Sequence, residues 1–523
     1  MTAIETVFNN TSLPQAKSQR PDGREKQNNS ALRLDGKAEK AAFLINGNRY
    51  FAEVSRALRQ ARRTIWIVGW DFNPDIPLEP EKSDETLADL LHGLAAANPE
   101  LEMRILIWAL GPVYSEKSLQ VLRKKTFPRN ARIDLRFDLQ GAVRGSHHQK
   151  LVCIDDAVAF IGGIDLTSRR WDTKRHRARD RLRRDPEGVS YDPLHDVQAM
   201  VTGDAARLIG DIARRRWETA TGEKHPALAE RPPFTWPDDL AVSLREIPVG
   251  FVLTEPSTTL RAGVSDGIAS TLDIISRARR LLYIEAQYLA SFRVADAIAA
   301  RLQEENGPEV VIICTRSSHG LIEKIIMGGN RDRVIRLLKR ADRANRLRVY
   351  FPVVPGPIVP GPVVPGPTVP GPTVPGQTVP ATVDEVEVLI HSKLMIADDE
   401  LVRIGSSNLN NRSEGVDSEC DILFQPETDE HRRAVAELRN RLLAEYLGTA
   451  TESFAAAYAQ SGSVIEAIDA LNIGAQGLRE FAVELTGSIS PVRGTGLFDP
   501  ARPFLPLRRL GLGALVRLLV RPA

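Results

Sequence analysis

Two stretches of this chain share one grammar. His148-Gln149-Lys150-Leu151-Val152-Cys153-Ile154-Asp155 and His391-Ser392-Lys393-Leu394-Met395-Ile396-Ala397-Asp398 carry His, Lys and Asp at identical offsets. In each, an apolar run ends in a polar turn, at Asp155-Asp156 or at Asp398-Asp399-Glu400. A second apolar run then returns to a glycine, Gly162 or Gly405. The pattern predicts a β-hairpin with a histidine and a lysine on its first arm. Side chains alternate along a strand, so His148 shares a face with Lys150, and His391 with Lys393. Asp155 and Asp398 lie at an odd offset from the histidines, at the strand ends, and read as turn or structural residues. A lone histidine on a half-apolar strand is usually a satisfied core residue. Two copies with the same return arm demand a duplicated chain.

Counting supports the duplication. Trp66 to His148 is 82 positions, and Tyr283 to His391 is 108. The excess of 26 matches a run of Val-Pro-Gly-Pro-like pentapeptides, Val354 to Pro380, 27 residues long. Proline removes amide donors and glycine interrupts regular turns, so this run is expected to be a surface insertion rather than a core element. Elsewhere apolar strands alternate with helical stretches: Thr64–Trp70 before Leu87–Ala96, and Leu281–Tyr288 before Val294–Gln303. That alternation argues α/β layering. The expected organisation is a disordered arm over 1–38, a first half over 39–225, a second half over 245–450 that contains the insertion 354–380, and a helical extension over 451–523. A helix is expected at Ser115–Lys125, and another at Gly477–Leu485.

At 523 residues the chain is long enough for two cores. Lys+Arg 69 against Asp+Glu 67 leaves the net charge silent about partners. One local excess stands out: nine Arg and Lys between Arg169 and Arg184, either a solvated loop or an anion-attracting flap. Three cysteines form no disulfide framework and suit a reducing compartment. No signal peptide and no apolar run of membrane-spanning length is visible, so a cytoplasmic or peripheral membrane location is expected, with non-classical secretion left open. Leu507–Val520, apolar with interspersed arginines, could lie on a bilayer or dock on the protein's own surface.

The two segments resemble the paired HxKxxxxD motifs of the phospholipase D superfamily, closest to its eukaryotic-type members. His147-His148-Gln149-Lys150 matches HHQK, Gly162-Gly163-Ile164-Asp165-Leu166 matches GGxDL, and Arg170-Trp171-Asp172 matches RWD. Gly405-Ser406-Ser407-Asn408 matches GSxN, and Asp417-Ser418-Glu419 matches DSE. The resemblance covers roughly residues 40 to 450. It implies an α/β fold of two mixed β-sheets flanked by helices, with the active site where the halves meet. It further implies hydrolysis of the terminal phosphodiester of a glycerophospholipid through a phosphohistidine, with possible transphosphatidylation. His148 is the expected nucleophile and His391 the acid/base; Lys150, Lys393 and Asn408 would hold the phosphoryl oxygens. Asp196 and Glu419 occupy the places of the acids that orient the histidines, and nothing in the sequence says which serves which. Asp165, where the second half has Asn408, would repel a phosphate and is given no contact with it.

The chemistry suits these residue types. Phosphodiester hydrolysis needs a nucleophile, an acid for the leaving oxygen, and cations for the equatorial oxygens. Imidazole titrates near neutrality and can fill the first two roles. A lysine two residues from each histidine opposes a divalent ion there, so neither a catalytic metal nor another cofactor is expected. His147 should face away from His148 and be structural, and His176 has no evident functional context. The partner is expected to be phospholipid at a membrane surface rather than nucleic acid, and the chain a monomer, because both motifs are in one polypeptide. Rival readings are a cardiolipin synthase-like phosphatidyl transferase and a nuclease of the same superfamily.

Overall fold

The computed structural model describes residues 34–109, 132–139, 145–257, 262–317, 324–359, 363–364, 377–378 and 382–503. The helix expected at Ser115–Lys125, nearly all of the expected arm, most of the Pro/Gly run and the segment Leu507–Val520 lie outside the described residues.

The first repeat is a mixed sheet of seven strands: β1 (Gly36–Ile45), β2 (Thr64–Gly69), β3 (Glu102–Trp108), β4 (Ile133–Asp138), β5 (Leu151–Ile154), β6 (Val158–Gly162) and β7 (Val197–Thr202). Their order is β4-β3-β2-β5-β6-β7-β1, with β4, β3 and β2 parallel and every later neighbour antiparallel. The second repeat has β8 (Leu244–Glu255), β9 (Leu281–Ala286), β10 (Glu309–Cys314), β11 (Leu347–Val359), β12 (Thr382–Glu387), β13 (Lys393–Ala397), β14 (Leu401–Gly405) and β15 (Glu419–Phe424). Its order is β11-β10-β9-β13-β14-β15-β8, with the same parallel and antiparallel pattern. Register confirms the counting: Trp66 lies opposite Cys153, and Tyr283 opposite Ile396, each five residues past its histidine.

Two sheets were expected, and the structure joins them. The equivalent strands β1 and β8 pair antiparallel, with Ala38 opposite Ile247, so one sheet runs through both repeats. β1 begins at Gly36, inside the stretch assigned to the arm. Beyond β11, the second repeat adds β12 and a short strand β16 (Gly477–Glu480), where a helix was expected.

Alternation along the strands sorts the core into layers. Trp66 and Val68 of β2, and Leu394 and Ile396 of β13, enter a central core shared by the repeats. There they meet α3 (Asp204–Thr221) and α7 (Asp429–Leu447). Ile65 and Ile67 face an outer core under α1 (Gly47–Leu58) and α2 (Leu87–Ala97). Met395 and Ala397 face the matching outer core under α4 (Asp266–Arg277), α5 (Phe292–Gln303) and α6 (Gly329–Ala341). Two shorter helices, α8 (Thr451–Ser461) and α9 (Val464–Leu471), complete the central layer. Among the described residues, no helix is long and apolar enough to cross a membrane.

Both hairpins turn on paired aspartates. Asp155 and Asp156 have φ of 54° and 53°, and Asp398 and Asp399 have 54° and 60°. Two consecutive positive φ values make the two-residue turn whose twist suits a hairpin, and aspartate is among the few non-glycine residues that tolerate it. The side chains add to this. Asp155 accepts from the backbone N–H groups of Arg62, Arg63 and Thr64 at 2.7–2.8 Å, and Asp398 from those of Arg279, Arg280 and Leu281 at 2.5–2.8 Å. Each first aspartate thus pins the start of the neighbouring strand, β2 or β9. Each second aspartate takes an arginine from a central helix: Asp156 from Arg214 of α3 at 2.8 Å, and Asp399 from Arg439 of α7.

Candidate active site

Each histidine segment leaves its own repeat and hydrogen-bonds to the other. The His148 amide donates to the Ser418 carbonyl at 2.9 Å, and the Ser418 amide to the Ser146 carbonyl at 2.9 Å. The His391 amide donates to the His195 carbonyl at 2.8 Å, extending a short parallel pairing of Leu389-Ile390 with Leu194-His195. The side chains follow. His148 Nδ1 lies 2.9 Å from Glu419 Oε2, and His391 Nδ1 lies 2.7 Å from Asp196 Oδ2. Glu419 and Asp196 hold equivalent places, two residues before the partners of Gly405 and Gly162 in the adjoining strands. The question the sequence left open therefore has a crossed answer: each imidazole meets the acid of the opposite repeat. With Nδ1 taken, Nε2 of each ring is the nitrogen without a protein partner among the described residues.

The acids are themselves held. Glu419 accepts from Ser406 Oγ at 2.5 Å and Ser413 Oγ at 2.7 Å. Asp196 accepts from the Val197 amide at 2.8 Å. Its close neighbour is Gly163, where a Cβ would stand 2.5 Å from Asp196 Oδ1, so the second glycine of the pair makes room for the acid. Lys150 Nζ donates to the His148 carbonyl at 2.9 Å and lies 3.3 Å from Asp165. Lys393 Nζ donates to the His391 carbonyl at 2.5 Å and to Gln287 Oε1 at 3.0 Å. Asp165 is thus occupied with Lys150 and with the Trp70 amide at 2.8 Å. The Asn408 backbone amide donates to Ser413 Oγ at 3.1 Å, and its side-chain oxygen is buried without a partner.

Electrostatics tie these groups into one site. Burial holds both imidazoles well below the usual histidine value, and the two lysines push in the same direction. Lys393 acts on His148 as well as on its own histidine, and Lys150 acts on His391. Burial raises Glu419 to about 7, against the opposing pull of its serine donors and of both lysines. It raises Asp196 too, with Lys393 opposing, and it lowers Lys393. The site brings together two imidazoles held toward their neutral form, their two acids and two lysines.

A family profile described as Phospholipase D matches residues 57–246 and 375–484. The chain belongs to the phospholipase D family. Phospholipase D1 of Saccharomyces cerevisiae is 25% identical over 493 residues, covering 78% of this chain and 28% of the relative. Phospholipase D alpha 1 of Vigna unguiculata is 23% identical over 525 residues, covering 78% of this chain and 65% of the relative. Phospholipase D2 of Bos taurus is 31% identical over 150 residues, 27% of this chain and 15% of the relative. The chain spans little more than a quarter of the first of these. A crystal structure of phosphatidylserine synthase from Haemophilus influenzae shares the fold, with a TM-score of 0.50 at 14% identity over 78% of this chain and 87% of that one.

Within this phospholipase D site several residues escaped the sequence reading. Ser413 has no motif signal. Ser406 lies in the GSxN match but has no role that spacing reveals. Arg170, from the RWD match, acts on His391, Lys393 and Asp196. The basic stretch proves heterogeneous. Arg183 is buried and bonds to Asp172 at 3.2 Å and to the Tyr191 carbonyl at 2.8 Å, and Arg169 pairs with Asp185 at 2.7 Å. Lys174, Arg175, Arg177 and Arg179 remain on a cleft. His147 is fully buried, 3.4 Å from Asp138.

Proposed function

We propose that this chain is a phospholipase D that cleaves the terminal phosphodiester of a glycerophospholipid to phosphatidate and a headgroup alcohol. The observation that carries this reading is the pair of crossed His–carboxylate contacts in one lysine-flanked site. His148 Nε2 attacks phosphorus, a P–N bond forms, and the P–O bond to the headgroup breaks. Glu419 on Nδ1 fixes the ring and stabilises the positive charge that develops on it. His391 gives its Nε2 proton to the departing oxygen, then takes a proton from water whose oxygen displaces His148. An alcohol in place of that water yields transphosphatidylation.

Burial and the lysines keep both rings neutral before substrate binds, which suits His148 as a nucleophile. The phosphodiester anion offsets the lysine charge, and that allows His391 to carry the proton it must donate. In this reading Lys150, Lys393 and the Asn408 amide hold the non-bridging oxygens, a contribution of about 2.7–4 kcal/mol for one such donor in comparable sites. The substrate surface is a phospholipid membrane, and one chain suffices because it carries both motifs.

The test is choline release from phosphatidylcholine vesicles alongside plasmid cleavage. Wild type should release choline; His148→Ala and His391→Ala should lose at least ~10²-fold, the low end for a general acid–base residue. Plasmid cleavage without lipid turnover would replace this reading with a nuclease.

A further inference from the structure

Behind the His391 segment lies a second histidine cluster that the proposed chemistry leaves idle. His176 Nε2 and His195 Nδ1 both point at one oxygen, Oε1 of Glu445, at 3.0 and 3.2 Å. Asn46 Nδ2 donates to the same oxygen at 2.7 Å. The far nitrogen of each imidazole meets a further carboxylate: His176 Nδ1 lies 3.0 Å from Asp172, and His195 Nε2 lies 3.3 Å from Glu285. Those carboxylates are anchored in turn. Asp172 accepts from Arg183 and, at 2.8 Å, from the Leu194 amide. Glu285 accepts from the hydroxyls of Tyr283 and Ser392 at 2.6 Å and of Tyr446 at 3.1 Å.

A carboxylate behind each imidazole is how proteins orient histidines that bind metal. The three inner atoms lie within 4.8 Å of one another. Their closest separations are near the ~3.3 Å between neighbouring donors around a tetrahedral zinc ion with bonds of about 2.0–2.1 Å. Asn46 supplies an independent observation. It is 1% exposed, and its Oδ1 is buried without a partner. Exchanging the amide's oxygen and nitrogen sets Oδ1 beside the shared carboxylate oxygen as a fourth donor. Glu445 lines a cleft of about 910 Å³, which gives an ion a route in from solvent. Lys174, Arg175, Arg177 and Arg441 edge that cleft and slow the entry of a free cation, so occupancy is read at equilibrium.

We propose that His176, His195, Glu445 and Asn46 form a binding site for one first-row divalent cation, zinc by ligand type, that ties the repeats together. Asn46 and both histidines belong to the first repeat, and Glu445 to α7 of the second. The ion braces the backbone that carries His391, because the His195 carbonyl accepts the His391 amide and Ser392 donates to Glu285.

The test uses the full chain, dialysed against EDTA and then equilibrated with Co²⁺ or Zn²⁺. One Co²⁺ per chain should bind with the visible absorption of a four-coordinate ion, and one equivalent of Zn²⁺ should bleach it. The melting temperature should rise with the logarithm of free Zn²⁺, as for a ligand of the native state. Glu445→Gln and His176→Ala should weaken Co²⁺ binding by more than ~100-fold, beyond the 10–100-fold typical of losing an outer partner. A folded wild type with neither an absorption band nor a melting shift would overturn the proposal and leave the cluster a buried ion-pair network. A band of equal strength in Glu445→Gln would overturn it too, by placing the cation elsewhere. If His176→Ala does not fold, the wild-type titration decides alone.

Discussion

At the residue scale the crossed acids set the expectations. Asp196→Asn should impair the work of His391, and Glu419→Gln the work of His148. Reactions with phosphorus-labelled phosphatidylcholine, quenched in denaturant at mildly alkaline pH where a P–N bond survives, should therefore show less phosphoenzyme in Glu419→Gln and persistent phosphoenzyme in Asp196→Asn. Glu419 also carries a stability signature. Its folded value of about 7 exceeds the unfolded one, so the native state holds the extra proton. Stability from this group is present below about 4.5 and lost as pH rises through about 7, a cost of roughly 3 kcal/mol above that. Glu419→Gln should thus melt higher than wild type at pH 8, lose that advantage near pH 5, and be inactive at both. The motif residues were legible because His, Lys and Asp stand at fixed short offsets. The pairing of acid with histidine was not, because it depends on which strand of the other repeat each segment abuts. Ser413 and Glu445 stayed hidden for the same reason.

At the scale of elements, each hairpin depends on its first aspartate more than a turn position usually demands. Asp155→Ala leaves three backbone N–H groups without acceptors, as does Asp398→Ala. Each should cost about 1–3 kcal/mol in urea unfolding, and Asp155→Asn less than Asp155→Ala, because one amide oxygen still accepts. Alternation and turn chemistry made these hairpins readable in advance. The start of β1 was missed because Lys37, Glu39 and Lys40 interrupt the apolar pattern where the strand crosses from one repeat to the other. β16 was missed because four residues are too few to separate a strand period from a helical one.

At the scale of the molecule, the duplication was legible by counting once the Pro/Gly run was set aside. The structure gives that run a simple frame: Val359 and Thr382 are paired across β11 and β12, so its two ends already meet. Replacing residues 360–381 by Asn-Gly should preserve choline release and change stability by no more than about 2 kcal/mol, since loop length enters closure entropy only logarithmically. What counting could not show is the seam of β1 on β8, which makes two sheets one. The crossed acids have a consequence there. A cut in the connector between Thr221 and Leu244 would leave two fragments, each with an imidazole and with a carboxylate meant for the other. Neither should turn over lipid alone, and mixing them should restore turnover with a rate that depends on both concentrations, as for a heterodimer.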